Sequence, residues 1–211
     1  MEVAPEKVVI AQKWMIEKAN IAAKPVILTT QILDSMCNYN KPERYEASDI
    51  VSSVLDGADA FLLANETANG NNPVSSVNAI SRICAEAERC IDHKTVFNDI
   101  RLYTSAPLGT AEAIASSSVS TVLDLNIDLI IVVTDTGSIA RLVSKYRPPV
   151  PILACSVVNS VIRNLNTIRG VWGFKIPAYQ QSDNVVQMVV KVAKENHLAK
   201  SGAKVVVIQA I

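Results

Sequence analysis

Short, unbroken apolar runs constrain this sequence more than any other feature. Pro25–Thr29 and Ala60–Ala64 are compact runs bounded by turn-forming residues, and neither alternates apolar with polar. A strand with one wet face alternates with period two. A continuous run needs cover on both faces, which a parallel sheet between helices provides. Later stretches have the same character: IDLIIVVT ending at Thr134, PILACS, GVWGFKIPA and the terminal AKVVVIQAI. Helical patterns lie between them. Strands alternating with helices through short connections predict an α/β chain.

The helical segments are read from apolar spacing and from caps. Residues 5–22 place Val8, Val9, Ala11, Met15, Ile16 and Ala19 near one helical face, with Pro5 in the first turn. Ser48–Leu55 gives a second helix after a polar loop from Asp34 to Glu46. Asn72 and Pro73 start a third, with Val74, Val77, Ile80, Ile83, Cys84 and Ala87 on one side. Residues 92–109 break into polar and turn types, so a boundary is expected there, separating domains 1–92 and 93–211. Beyond it, helices are expected at Thr110–Leu125, in IARLVSKYR, near Asn159–Asn166, and from a Ser182–Asp183 cap to about His197.

Composition excludes several classes. Lysine plus arginine and aspartate plus glutamate both number 20, so no basic excess points to nucleic acid. The aliphatic run Leu129–Val133 is far too short to cross a bilayer, and the N-terminus has no signal-peptide core. A cytoplasmic protein is expected. Cys37, Cys84, Cys90 and Cys155 form no C-x-x-C pair and read as reduced, mostly buried thiols. With His93 and His197 they make no zinc cluster by spacing. Trp14 and Trp172 read as partly buried packing residues, and Arg141, Lys145 and Arg147 as a solvated face.

Ligands of α/β proteins sit at the C-terminal ends of parallel strands. That directs attention to Thr29-Thr30-Gln31, Asn65-Glu66-Thr67 and the loop Thr134-Asp135-Thr136-Gly137-Ser138. The loop stands between a strand and a helix N-terminus, where free backbone N–H groups favour an anion.

The segments AQKWMIEKAN, KPVILTTQILDSM, KPERYEASDI, VLDGADAFLLANETANGNNP and SKYRPPVPILA, in that order, closely resemble the pyruvate kinase family. The resemblance implies a fold: the last two βα units of a TIM-type barrel, then an open, three-layer α/β C-terminal domain. It implies a reaction: phosphoenolpyruvate and ADP give pyruvate and ATP, with magnesium and potassium, in a homotetramer. The family's catalytic lysine, magnesium carboxylates and potassium ligands would lie upstream. No metal ligand is therefore expected in this chain, which reads as a fragment inactive by itself.

Site residues follow from the same resemblance. Thr30 matches the threonine of the family's A-T-Q segment and is implied to be catalytic and substrate-binding, delivering a proton to the enolate through water. Glu66 and Thr67 match the end of the family's S-G-E-T, with Glu66 a candidate substrate contact. The family's serine and glycine are Ala64 and Asn65 here, and its following lysine is Asn69. Asn65 must then accept whatever backbone angle that glycine held. Arg44 and Glu46 match the family's R-A-E, as an ion pair, a subunit contact or a substrate contact. Thr134, Thr136, Gly137 and Ser138 match the loop that holds a bisphosphate effector in many relatives. Asp135 stands where a basic residue would, and Ile139 where a second hydroxyl would. An Asp about 4 Å from a phosphate costs on the order of 4 kcal/mol at an effective dielectric near 20. Bisphosphate activation is therefore expected to be lost or weak.

Two readings compete with the kinase. One is a non-catalytic remnant that acts through subunit contacts. The other is an aspartic protease, suggested by D-T-G-S at Asp135–Ser138. The protease needs an all-β chain and a paired second motif. Here a helix follows the loop directly and D-T-G occurs once.

Overall fold

A computed structural model describes residues 4–178, 182–196 and 198–210. The chain divides into two compact units, Met1–Asp92 and His93–Ile211.

In the first unit, α1 (Pro5–Ile21) leads to β1 (Ile27–Thr29), a short 3-10 helix (Asp34–Cys37) and α2 (Arg44–Asp56). Then come β2 (Ala60–Leu62), the single turn α3 (Asn65–Ala68) and α4 (Pro73–Glu88). β1 and β2 pair in parallel, Ile27 with Ala60 and Thr29 with Leu62. Leu33, Met36, Ile50, Val54, Ala79 and Ala87 form the core. α2 begins at Arg44, earlier than apolar spacing suggests. A capping box starts it: the Glu43 side chain accepts the backbone N–H at Glu46, and Glu46 reaches back to the Glu43 N–H. Polar contacts tie α1 to α2 and its exit. Lys13 pairs with Asp56 at 2.6 Å, Gln12 donates to Ser53 Oγ at 3.1 Å, and Asn20 donates to the Gly57 carbonyl at 3.1 Å.

Three expectations are corrected here. β1 and β2 are not covered on both faces: Ile27 is 50% and Leu62 54% exposed. These two strands form a two-stranded sheet. Of the apolar face expected on α1, Ile16 is buried, whereas Val8, Val9, Met15 and the neighbouring Trp14 are exposed. Val74 and Val77 of α4 are likewise exposed. Helical spacing says which residues share a face; it does not say what covers that face.

In the second unit, α5 (His93–Tyr103) occupies the stretch expected to be turn-rich. Its Phe97 is buried and lies against Tyr146, ring centroids 5.5 Å apart. A tertiary partner offsets the polar composition of this helix. Then follow α6 (Thr110–Leu125), β3 (Leu129–Thr134), α7 (Ser138–Lys145), β4 (Ile152–Ser156) and α8 (Asn159–Leu165). β5 (Val171–Lys175), α9 (Ser182–Glu195) and β6 (Val205–Ala210) complete the unit. All pairings are parallel, in the order β5-β4-β3-β6. Every residue of β3 and β4 is buried, as an unbroken apolar run requires. On one face Ile130, Val132 and Ile152 pack with Val119 of α6, Val143 of α7 and Leu165 of α8. On the other, Leu129, Ile131, Val133 and Leu153 pack with Val185, Val189 and Ala193 of α9. This is the three-layer arrangement. His197, the expected end of α9, lies outside the described residues.

Lys145 is not on a solvated face. It is buried and paired with Glu112 of α6 at 2.8 Å, while Arg141 stays exposed. Trp172, on edge strand β5, is exposed, as is Trp14. Of the four free cysteines, Cys155 is buried, Cys37 and Cys84 are half-buried and Cys90 is exposed. Burial pushes the Cys155 thiol up to about 12, which leaves it protonated and unreactive.

Candidate functional site

Parallel pairing in register sets the ends of β1 and β2 side by side, Thr29 next to Leu62. β1 leaves through Thr30 and Gln31, with φ of 66° and 53°. Neither is glycine, and the left-handed region costs an L-residue roughly 1–2 kcal/mol. Surrounding structure must hold such a turn. Thr30 is exposed, and its hydroxyl donates to the Thr29 carbonyl at 2.6 Å.

Glu66, on α3 beyond β2, is 1% exposed. Its Oε1 accepts the Leu33 N–H at 3.0 Å and its Oε2 the Ala64 N–H at 2.8 Å. One carboxylate thus joins the segment after β1 to the segment after β2. Burial acts to raise its pKa, but hydrogen bonds from backbone amides at Leu33, Glu66, Ala64 and Ile32 outweigh it, and the net shift is downward. Two more contacts close the seam. The Asn71 N–H donates to the Cys37 carbonyl at 3.0 Å, and a Cβ on Gly70 would sit 2.5 Å from the Glu66 carbonyl oxygen.

Glu46 grips the same segment from the other side. Its Oε1 accepts the Ser35 N–H at 2.8 Å, and its Oε2 accepts the Ser35 hydroxyl and, at 2.8 Å, the Glu43 N–H. Its partners are backbone and a serine, and it caps α2. Cys37 lies between these groups: desolvation first, then the charges of Glu66, Asp34 and Glu46, raise its pKa.

The structure therefore brings Thr30 and Glu66 to one end of one sheet but gives them different surroundings. Thr30 is open to solvent, whereas the Glu66 carboxylate is turned to the backbone. Asn65, standing for the family's glycine, is the first residue of α3. The left-handed strain falls on Thr30 and Gln31 instead. Residue type could not reveal this, because neither is a residue that favours φ above zero.

Protonating Glu66 breaks the seam. A depressed pKa means its stabilisation is complete above the ordinary carboxylate value and is lost as pH falls through the lower folded value. Acid titration of the chain should loosen the Leu33 and Ala64 amides, read by hydrogen exchange, below the normal glutamate range. In Glu66→Gln, which keeps one acceptor oxygen and loses the other, protection of these amides should already be reduced at neutral pH. Equal protection in both proteins across that range would refute the assignment.

In the second unit, the loop after β3 closes on itself. Thr134 is buried and its Oγ1 accepts the Gly137 N–H at 3.1 Å. That amide, expected to be free for an anion, is already committed. Thr136 Oγ1 lies 2.9 Å from Ser138 Oγ and accepts the Ser138 N–H at 3.4 Å. Gly137 has φ of 80°, and a Cβ there would lie 3.1 Å from Leu165 and Val161 of α8. Asp135, Thr136 and Ser138 are exposed, while Ile139 is in the core. The loop is an ordered strand-to-helix turn with an outward carboxylate. Among the described residues, no group of three or more His, Cys, Asp and Glu could hold a metal ion, and no helix is long and apolar enough to cross a membrane.

Parallel sheets with polar loops at their strand C-termini define an α/β protein. Family models describe the two parts separately: "Pyruvate kinase, barrel domain" matches residues 1–77, and "Pyruvate kinase, alpha/beta domain" residues 112–211. This chain belongs to the pyruvate kinase family. Pyruvate kinase of Eimeria tenella is 46% identical over 211 residues, covering 100% of this chain and 40% of its own. That of Dictyostelium discoideum is 40% identical, covering 100% and 42%. A crystal structure of a pyruvate kinase from Cryptosporidium parvum superposes with a TM-score of 0.97 at 43% identity, over 100% of this chain and 43% of that one. The same organism's enzyme in complex with ADP gives 0.94. The chain thus spans about two-fifths of the length of these relatives.

Proposed function

We propose that this chain forms part of an enzyme that transfers the phosphoryl group of phosphoenolpyruvate to ADP, giving pyruvate and ATP. The ordered match to both family domains carries this reading. The assignment of domains as 1–92, a partial β/α barrel, and 93–211, the C-terminal α/β domain, accords with the two compact units. Thr30 is the residue of this chain that acts on substrate. Its exposed hydroxyl can donate and accept a hydrogen bond, which suits it to orient a water that protonates the enolate. Glu66 supports that role through the backbone it holds, and in the loop Thr134, Thr136, Gly137 and Ser138 the exposed Thr136 and Ser138 are the groups open to a ligand. Magnesium and potassium are the ions of the reading, with ligands outside this chain. Glu46 and Glu66 are both committed to backbone hydrogen bonds, which leaves neither carboxylate turned toward an ion. A cytoplasmic homo-oligomer completes the reading, in keeping with a 36% identical relative named as a cytosolic isozyme.

The test joins this chain to the upstream part of the Eimeria tenella enzyme. The 211-residue chain alone should show no turnover, because phosphoryl transfer rests on positioning and charge neutralisation that it does not supply. The joined protein should turn over, and Thr30→Ala should lower its kcat by roughly 10²–10⁴. An inactive joined protein that folds would favour the second reading, a module acting through subunit contacts. That reading has its own support in the exposed apolar residues of α1.

A further inference from the structure

We propose that Glu66 is a positioning residue: its buried carboxylate fixes the backbone at the end of β1 and so holds Thr30 in its left-handed conformation. The role in catalysis rests on the reading of Thr30 as the residue that acts on substrate; the mechanical role does not.

Three observations converge. Thr30 and Gln31 both take positive φ without being glycine, a turn that does not persist unless its surroundings hold it. Just downstream, the backbone amides of Ile32 and Leu33 both act on the Glu66 carboxylate, the Leu33 N–H at 3.0 Å, and Leu33 is fully buried. The same carboxylate holds the Ala64 N–H at the exit of β2, so the two strand ends are fixed to each other as well as to α3. Ser35, two residues further on, is held by Glu46, which gives the segment a second fixed point. Between β1 and Leu33 only Thr30, Gln31 and Ile32 remain, and the bonds on either side leave them little freedom. A charged acceptor suits this task, because hydrogen bonds to a carboxylate are stronger than those to a neutral group.

The geometry also explains why the position needs an acid. Both oxygens accept from backbone N–H groups. Glutamine has the same shape but presents an NH2 to one of those donors, so one bond is lost and a repulsion replaces it. Aspartate keeps the charge and both acceptors on a shorter stem.

The experiment is NMR on the 211-residue chain. In the unmutated protein, the HN–Hα coupling and Cα shift of Thr30 should report a left-handed residue. In Glu66→Gln, that signature should be lost and the Leu33 amide should exchange about tenfold faster. Amides of β3, in the other unit, should be unchanged. Glu66→Asp should restore part of the Thr30 signature, which a general loss of stability would not do. Thr30 unchanged in Glu66→Gln, or Leu33 exchange unaltered, would overturn the proposal. If Glu66→Gln does not fold, acid titration of the unmutated chain decides instead: the Leu33, Ala64 and Thr30 resonances should move together with the Glu66 carboxyl, and independent movement would refute it. In the joined enzyme, Glu66→Gln should lower kcat with little change in the KM for ADP. Failure of the unmutated joined enzyme to turn over would sink the kinase reading and leave the NMR result to decide the positioning role.

Discussion

Glu112→Ala should destabilise the unit His93–Ile211 by about 3–5 kcal/mol, the largest loss expected from any single change described here. Glu112 Oε1 accepts from Lys145 Nζ at 2.8 Å and from the Tyr146 hydroxyl at 2.6 Å. Tyr146 is fully buried and Lys145 nearly so. Without the carboxylate, an ammonium and a phenol remain in the interior, and an uncompensated buried charge costs far more than the pair contributes. Urea unfolding of the single variant measures the loss. Glu112→Leu combined with Lys145→Met removes both charges and should recover most of it. A single variant within about 1 kcal/mol of the parent would show that water reaches Lys145.

The same cluster has an alkaline signature. Burial first, and Glu112 second, push the Tyr146 hydroxyl up to about 12 from the ordinary tyrosine value of 10.0. Tyrosine loses its proton to become charged, so a raised folded pKa means the unfolded chain ionises first. Stability is complete below about 10 and falls as pH rises toward about 12. Alkaline unfolding followed by circular dichroism should show that decline in the parent, and a smaller one in Tyr146→Phe.

Gly137→Val should cost the same unit roughly 3 kcal/mol, from left-handed strain together with overpacking. Gly137 has φ of 80° and faces α8 at 3.1 Å, so backbone and side-chain penalties coincide. Gly170 provides the comparison. Its φ is 72°, but nothing lies within 4 Å of a Cβ built there. Gly170→Ala should therefore cost about 1 kcal/mol, the strain alone. Thermal or urea unfolding of the two variants separates strain from packing. Equal losses would mean that Leu165 and Val161 yield without cost. Gly137→Val should also disturb the Gly137 N–H bond to Thr134 and with it the outward loop of Asp135, Thr136 and Ser138.

Much of the second unit was legible in the chain. The continuous run at Leu129–Thr134 marked a strand buried on both faces, and α6 begins and ends where its composition changes. The ordered segments of the resemblance pointed to the family. The sequence directs attention to the ends of β1 and β2, and Thr30 and Glu66 both follow those strand ends. What those residues do was less legible. Glu66 read as a possible substrate contact, but its carboxylate is held by two backbone amides. Lys145 read as solvated because its neighbours Arg141 and Arg147 are basic; its partner Glu112 is distant in sequence. Helix α5 was missed because its helical face contributes a single buried residue, Phe97, whose partner Tyr146 lies on another element.

Local pattern by itself determined the α/β class, the strands of the central sheet and most helix limits. These depend on residues within a few positions of one another, through period, caps and turn chemistry. The tertiary structure alone decided which polar groups are buried and which apolar ones are not. Leu33 meets Glu66, Lys145 meets Glu112, and Val8, Trp14 and Val74 meet solvent. Burial and pKa depend on neighbours brought together from distant parts of the chain, and a carboxylate reads alike in sequence whether it faces water, a cation or a backbone amide.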